Sequence, residues 1–492
     1  MPSSVRIVTF LRRLGVRERN PLSVMEQAFN VRPVAYTGLI KVKAHLRGLL
    51  DRLAIDRAVV FGVSGKLWQA IASLITIGVI AVCCTPETQG YYYTFLNLMA
   101  VQVFAELGLG NVVVNFASHE WSKLTLCGGN RIAGPEEPLR RLTSLGRFAF
   151  RWYAAAGAAV FVLVGAVGWF FFASSPDTTI RWELPWALFC LLVGVRLAGT
   201  PFMTLLEGCN QISSVYLCRL IDVVATSVTL WLCIVLGLGL FAPCCSLLAG
   251  VLCCVLFLFS RYRHFFRGFF RRSDAGISWR NEILPMQWRI ALSFIGGYFT
   301  FYLFTPLTFR FEGPAAAGRM GMTFAVASGL STIASTWVYT RVPRFGLLIA
   351  RKRFRELDQL FYRLAFLSTT ILFVGGLFTW SLAYLLQGKH PFFSTRMLSP
   401  LPMGLLFLAT LGMQVSLCQA AYLRAHKKEP FLILSIVQGL STCLSLWVLG
   451  RWYGTLGMVA GYLAVVALFA LPYGTYVWSR RRKEWHRDIE QA

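Results

Sequence analysis

Two apolar runs, residues 58–84 and 91–117, are separated only by the polar turn 85–90. Each exceeds the ~20 residues that a helix needs to cross the hydrocarbon of a bilayer. The turn is too short to hold a domain, so the pair reads as a transmembrane hairpin. Two of its features are not generic. Glu106 lies near the middle of the second run, and Tyr91, Tyr92 and Tyr93 mark that run's beginning.

The rest of the chain repeats the pattern. Of 492 residues, 56% are hydrophobic and 14% charged, too little polar surface to coat a water-soluble body of this size. Twelve spans are predicted, at 58–84, 91–117, 148–173, 186–208, 216–240, 244–261, 288–310, 317–340, 362–386, 401–423, 430–450 and 456–478. The fold class is thus an all-α polytopic membrane protein. A net charge of +26 raises the question of nucleic acid, but no soluble stretch is long enough for a nucleic-acid fold. The basic residues instead flank the spans, as the positive-inside rule requires. Loops on the amino-terminal side carry 38 Lys or Arg, and the opposite loops only five. Both termini are therefore expected in the cytoplasm.

An internal repeat divides the spans into two lobes of six. Trp68, Ser73 and Ile75 align with Trp288, Ser293 and Ile295. Pro86, Gly90, Thr94 and Phe95 align with Pro314, Gly318, Thr323 and Phe324, and Thr226 and Trp231 with Thr442 and Trp447. Each match joins span n to span n + 6, so both copies have one orientation and a cleft is expected between them. The expected organisation is a basic leader at 1–57, lobes at 58–261 and 288–478, a basic linker at 262–287 and a basic tail at 479–492. Leucines 39, 46, 49, 50 and 53 share a helical face in the leader, and Phe354, Leu357 and Phe361 share one within 351–362. Both stretches read as interfacial helices.

Ionisable groups within spans are costly and are candidates for function. Glu106 and Arg196 are both expected near the midplane, either paired as a structural bridge or lining a polar cavity. Lys66, about two turns into the first span, either snorkels to the surface or faces the cavity. Arg219 and Asp222 are three apart and can meet on one helix face. Arg310 is either an interface anchor or a phosphate contact. Glu207 is expected to reach water. The three tyrosines fit an aromatic belt, or offer a ring to a sugar.

Several chemistries lack their residues. Gly62, Gly65 and Lys66 faintly resemble a phosphate loop, but Val60 and Leu67 stand where the first glycine and the magnesium-binding hydroxyl are required. The thirteen cysteines form no CxxC pair and read as small hydrophobes. The six histidines are scattered, so no metal, cofactor or catalytic constellation is expected. An integral-membrane glycosyltransferase would need catalytic carboxylates in sizeable external loops. Those loops are short here, with only Glu87, Asp177, Glu183 and Glu312.

Asp56-Arg57, the segment from Pro86 and Glu87 through Gly90 to Phe95, and the segment from Gln102 through Glu106 to Gly110 resemble polysaccharide-biosynthesis transporters. These are Wzx-like lipid-linked oligosaccharide flippases of the multidrug/oligosaccharidyl-lipid/polysaccharide exporter superfamily. Leu206, Glu207, Gly208 and Gln211, and Gly318 to Thr323, share the likeness, which covers roughly residues 53–480. It implies alternating access around a cationic central cavity in a bacterial inner membrane. The implied substrate is an undecaprenyl-pyrophosphate-linked oligosaccharide, with membrane lipids and glycan polymerase or synthase subunits as partners. Arg196, Lys66 and Arg310 are then expected at the anionic head, and Glu106, Asp222 and Arg219 in ion coupling or cavity structure. Other readings are a small-molecule cation antiporter of the same superfamily, with an acidic cavity, and a scaffold subunit of a glycan synthase, with its midplane charges internally paired.

Overall fold

The computed structural model describes residues 57–106, 108–127, 131–174, 180–270, 296–387, 395–426 and 430–490. The chain divides into residues 1–60 and a second unit, residues 61–492, which holds the packed helices. The expected leader helix, most of the linker and Trp288 of the repeat lie outside the described residues.

Helix α1 spans Arg57–Cys83. The hairpin's second run is not one helix but three: α2 (Pro86–Met99), α3 (Gln102–Glu106) and α4 (Leu109–Trp121). Thr85 caps α2 by accepting from the Thr88 N–H, Pro86 occupies the first turn and Glu87 faces the helix dipole. Gly108, at φ 69°, sits between α3 and α4, where the axis bends by 42°. A short hairpin, β1 (Thr125–Cys127) with β2 (Arg131–Ala133), precedes α5 (Glu136–Ala173). Then come α6 (Glu183–Ala198), α7 (Thr200–Gly208), α8 (Ile212–Val235) and α9 (Phe241–Arg267).

In the second half, residues 296–301 are helical. They are followed by α10 (Phe304–Glu312), α11 (Pro314–Tyr339), α12 (Val342–Ala350), α13 (Phe354–Gln387), α14 (Pro400–Ala425), α15 (Leu432–Val465) and α16 (Leu471–Glu490). Gly454, at φ 59° and ψ −147°, breaks α15 into two arms. Gly457 and Gly461 lie against Leu449 and Ser445, so the arms fold back on each other. Glu312 secures this break by accepting from both the backbone N–H and the hydroxyl of Thr455.

Eight of the described helices are long and apolar enough to cross a membrane, or nine if the bent hairpin arm is one span. One of the eight contains the Gly454 break. Each predicted span has a helical counterpart, the seventh described only from residue 296. Large apolar side chains remain exposed all around these helices, among them Phe170, Phe366, Phe378 and Leu468. In water such a surface aggregates; in lipid it is the solvated surface, because hydrocarbon tails are as apolar as leucine. The protein is an all-α polytopic membrane protein apart from one small hairpin among the described residues.

Two expectations are corrected. Residues 354–362 are not a separate interfacial helix: they are the first turns of α13, with Leu357 and Phe361 buried against Tyr422 and Trp478. The amphipathic piece beside them is α12. The tyrosines 91–93 are not an interfacial belt either. All three are buried, Tyr91 packing edge-on against Phe309 with centroids 4.9 Å apart. The segment from 479 to 490 continues α16 as helix, where Arg482 pairs with Asp358 at 2.8 Å and covers the faces of Tyr362 and Trp478.

Candidate functional site: a sealed contact above a charged cavity

The two halves meet closely where α2 runs against α11. A Cβ added at Gly90 would fall 1.9 Å from the Pro314 carbonyl oxygen. One added at Gly318 would fall 2.7 Å from the Pro86 oxygen, and one at Gly321 would strike Tyr93. The contact is reciprocal: Pro86 and Gly90 touch Pro314 and Gly318, the residues with which the repeat aligns them. Polar groups close it further. Gln89 Nε2 donates to the carbonyls of Gly318 (2.7 Å) and Arg396 (3.2 Å), and Arg396 donates back to the Cys84 carbonyl. Trp231 and Trp447, which the repeat aligns, each contact the first span of their own half. Trp231 of α8 donates to Thr76 of α1, and Trp447 of α15 packs on Phe311 of α10.

Beneath this contact lies a cavity of about 850 Å³. It begins at Tyr92, takes in residues 296–302 and α14, and reaches Arg424 in the last turn of α14. Its charged lining among the described residues is Glu106, Arg196 and Arg424. Glu106 owes its place to the broken helix: it ends α3, and Trp152 of α5 fixes that end by donating to the Ala105 carbonyl. Phe104, two residues before it, packs on Tyr298 with centroids 5.0 Å apart. Glu106 makes no hydrogen bond or ion pair among the described residues.

Arg196 is held differently. It does not pair with Glu106 but binds Asp222 of α8 at 2.5 Å. Asp222 is buried against Gly250, where any side chain would collide with its Oδ1. That oxygen has no hydrogen-bond partner. The Arg196 side chain is 44% exposed, and it faces both the central cavity and a second, largely apolar pocket of about 810 Å³ among α6 to α9. The pair therefore stands between the two spaces.

Arg219 does not meet Asp222. It pairs with Glu207 of α7 at 2.6 Å, so Glu207 reaches a guanidinium and not only water. Spacing of three permits a contact on one helix, but neighbouring helices supplied each partner instead. Lys66 is exposed on α1, its Nζ 3.5 Å from Gln69 Oε1, and Arg310 is exposed on α10. Neither lines the central cavity. Arg424 does, although loop charge had placed it outside the spans. A signal existed, since Leu417, Ala420 and Arg424 keep helical spacing.

No family model matches the sequence, and no curated protein matches it. Solved structures do. A multidrug resistance MATE family transporter of the MOP superfamily, in an inward-facing conformation, superposes with TM-score 0.64 at 12% identity over 84% of this chain and 96% of that one. The lipid II flippase MurJ, in an inward closed conformation, gives 0.58 at 10% over 85% and 87%. A MOP superfamily transporter from Pyrococcus furiosus, described as having a binding pocket of reversed polarity, gives 0.52 at 12% over 87% and 95%. The chain has the fold of MOP superfamily transporters.

Proposed function

We propose that the chain is a membrane transporter that flips a lipid-linked, undecaprenyl-pyrophosphate type of oligosaccharide by alternating access, without ATP hydrolysis of its own. The observation that carries this reading is the charge lining the central cavity among the described residues, with two guanidiniums, Arg424 and the Asp222-paired Arg196, against one carboxylate, Glu106. A diphosphate in a low-dielectric cavity needs charge-assisted donors, and guanidinium groups supply them in a forked geometry. The lipid tail remains in the bilayer while the head crosses between the halves. MurJ, a lipid II flippase, has the same fold. The bacterial inner membrane, cytoplasmic termini, two six-helix lobes and a polymerase or synthase partner belong to the same proposal, and Lys66 and Arg310 take no part in the head site in this conformation.

A cation antiporter is the second reading, favoured by Glu106, which faces the cavity without an ionic partner among the described residues. In the flippase reading Glu106 is the coupling group, and Asp222 and Arg219 are structural. The scaffold reading draws on the Arg196–Asp222 pair, but a purely internal pair does not need an arginine exposed to a cavity.

The test is transfer of a fluorescent undecaprenyl-pyrophosphate oligosaccharide across liposomes holding the purified protein, run beside organic-cation efflux. Wild type is compared with Arg424→Gln, Arg196→Gln and Glu106→Gln at matched folded yield. Lipid transfer that falls in the arginine variants supports the flippase. Cation efflux that depends on Glu106, with no lipid transfer, establishes the antiporter instead.

A further inference from the structure

The apolar pocket among α6 to α9 differs from the central cavity in where its charges lie. At about 810 Å³ it has the size of a ligand pocket. Along α9, Val251, Val255, Leu258 and Phe259 line it at helical spacing, so they form one continuous face. That face then changes character, and Arg263 and Arg267 line the pocket at the end of the helix. The rise of a helix sets Phe259 about 12 Å and Arg267 about 24 Å beyond Val251. One leaflet of hydrocarbon is about 15 Å thick. The dimensions are those of a groove that begins inside a leaflet and ends at its polar surface. Val195, Val255 and Phe259 are exposed at its mouth, which therefore opens on the lipid-facing surface. Phe202 and Phe266, with centroids 4.8 Å apart, close it from within.

Four arginines line the groove, and two are committed: Arg196 to Asp222 and Arg219 to Glu207. Arg263 gives one N–H to the ring of His264 at 3.2 Å, and neither it nor Arg267 has a carboxylate partner among the described residues. Asp222, the one carboxylate in the lining among those residues, lies at the inner end against Gly250. Arginine at a span end is commonly a plain interface anchor. Here the two guanidiniums are the polar end of a formed apolar groove, and basic pockets between helices bind anionic lipid headgroups. The fitting occupant has an apolar body on the scale of one leaflet and a negative head at the membrane surface. We propose that the groove binds an anionic glycerophospholipid, its phosphate on Arg263 and Arg267 and its acyl chains along α9 from Val251 to Phe259. The chain ends then abut the Arg196–Asp222 pair, the wall shared with the central cavity. The inference needs the membrane fold and no particular cargo.

The experiment counts lipids bound to the purified full-length protein by native mass spectrometry. The probes are dioleoyl phosphatidylglycerol, dioleoyl phosphatidylcholine, glycerol phosphate and undecaprenyl phosphate. Wild type is compared with the double variant Arg263→Gln/Arg267→Gln and with Val255→Trp, which fills the mouth from a lipid-exposed position. Thermal unfolding in neutral detergent checks that each is folded. Wild type is expected to hold one phosphatidylglycerol roughly tenfold more tightly than phosphatidylcholine, the effect of two arginines near a membrane surface. The double variant binds both lipids alike, and Val255→Trp loses the tight phosphatidylglycerol with both arginines intact. Equal binding of the two phospholipids by wild type, or a preference that survives either variant, overturns the proposal. Competition by glycerol phosphate at equal concentration also overturns it, because the arginines are then a bare phosphate site. Displacement of phosphatidylglycerol by a lower concentration of undecaprenyl phosphate does the same, and assigns the groove to a prenyl chain.

Discussion

The two ends of the interface between the halves are built from opposite materials. At the end holding the turn 85–90, backbone meets backbone through Gly90 and Gly318, with no side chain between the helices at those positions. Further along the same helices the halves diverge around a cavity whose walls carry Glu106, Arg196 and Arg424. The first end has one geometry available to it, because carbonyl oxygens against Cα atoms leave no slack for repacking. The second has space and fixed charges, which a ligand can use. In the proposed orientation, with both termini cytoplasmic, the close contact faces outside and is the seal that must open for release.

The sharpest way to break this contrast is to put a side chain into the seal. Gly90→Ala sets a methyl against the Pro314 carbonyl, and α2 and α11 have to part. Cys84 reports the change. It sits at the edge of the contact, where Arg396 donates to its backbone carbonyl. Maleimide needs access to the sulfur, so parting of α2 and α11 raises the alkylation rate. In a background lacking the exposed Cys83 and Cys127, Cys84 alkylation is expected to accelerate roughly tenfold in Gly90→Ala. An unchanged rate would show that the seal absorbs a methyl group.

Next in size is the ion pair at the cavity wall. Arg196→Ala leaves Asp222 buried with both oxygens unpaired, and the expected loss is ~3 kcal/mol of unfolding free energy. Adding Asp222→Asn to that variant removes the stranded charge, so the double variant should recover most of the loss in thermal unfolding. Recovery of stability without recovery of lipid transfer would separate the arginine's two roles. The smallest effect belongs to Arg219 and Glu207, whose guanidinium is 47% exposed. Arg219→Gln is expected to cost under ~1 kcal/mol, and to leave transfer unchanged. A larger loss would place Arg219 in the path of the substrate.

Class and span positions were legible because lipid imposes them on each segment separately. A span needs length and apolarity, and both are properties of a short window. Gly90, Gly318 and their neighbours were also legible, as members of a repeat, although nothing in the pattern said that the two copies touch. The tyrosines 91–93 misled because a run of aromatics near a span end is the usual signature of an interface, and burial depends on what packs over them. Over Tyr91 that is Phe309 and Phe172.

The sequence by itself determined that this chain lies in a membrane, which loops are basic, and that Glu106, Arg196 and Asp222 interrupt apolar runs. Tertiary structure alone decided that Arg196 answers Asp222, that Arg219 answers Glu207, and that Glu106 is left facing the cavity. The physical reason is that lipid-facing and protein-facing surfaces of a span are equally apolar, so the pattern of one helix does not name its neighbour. Partners are chosen by close approach between helices, at positions such as Gly250 and Gly318 where only the absence of a side chain permits it.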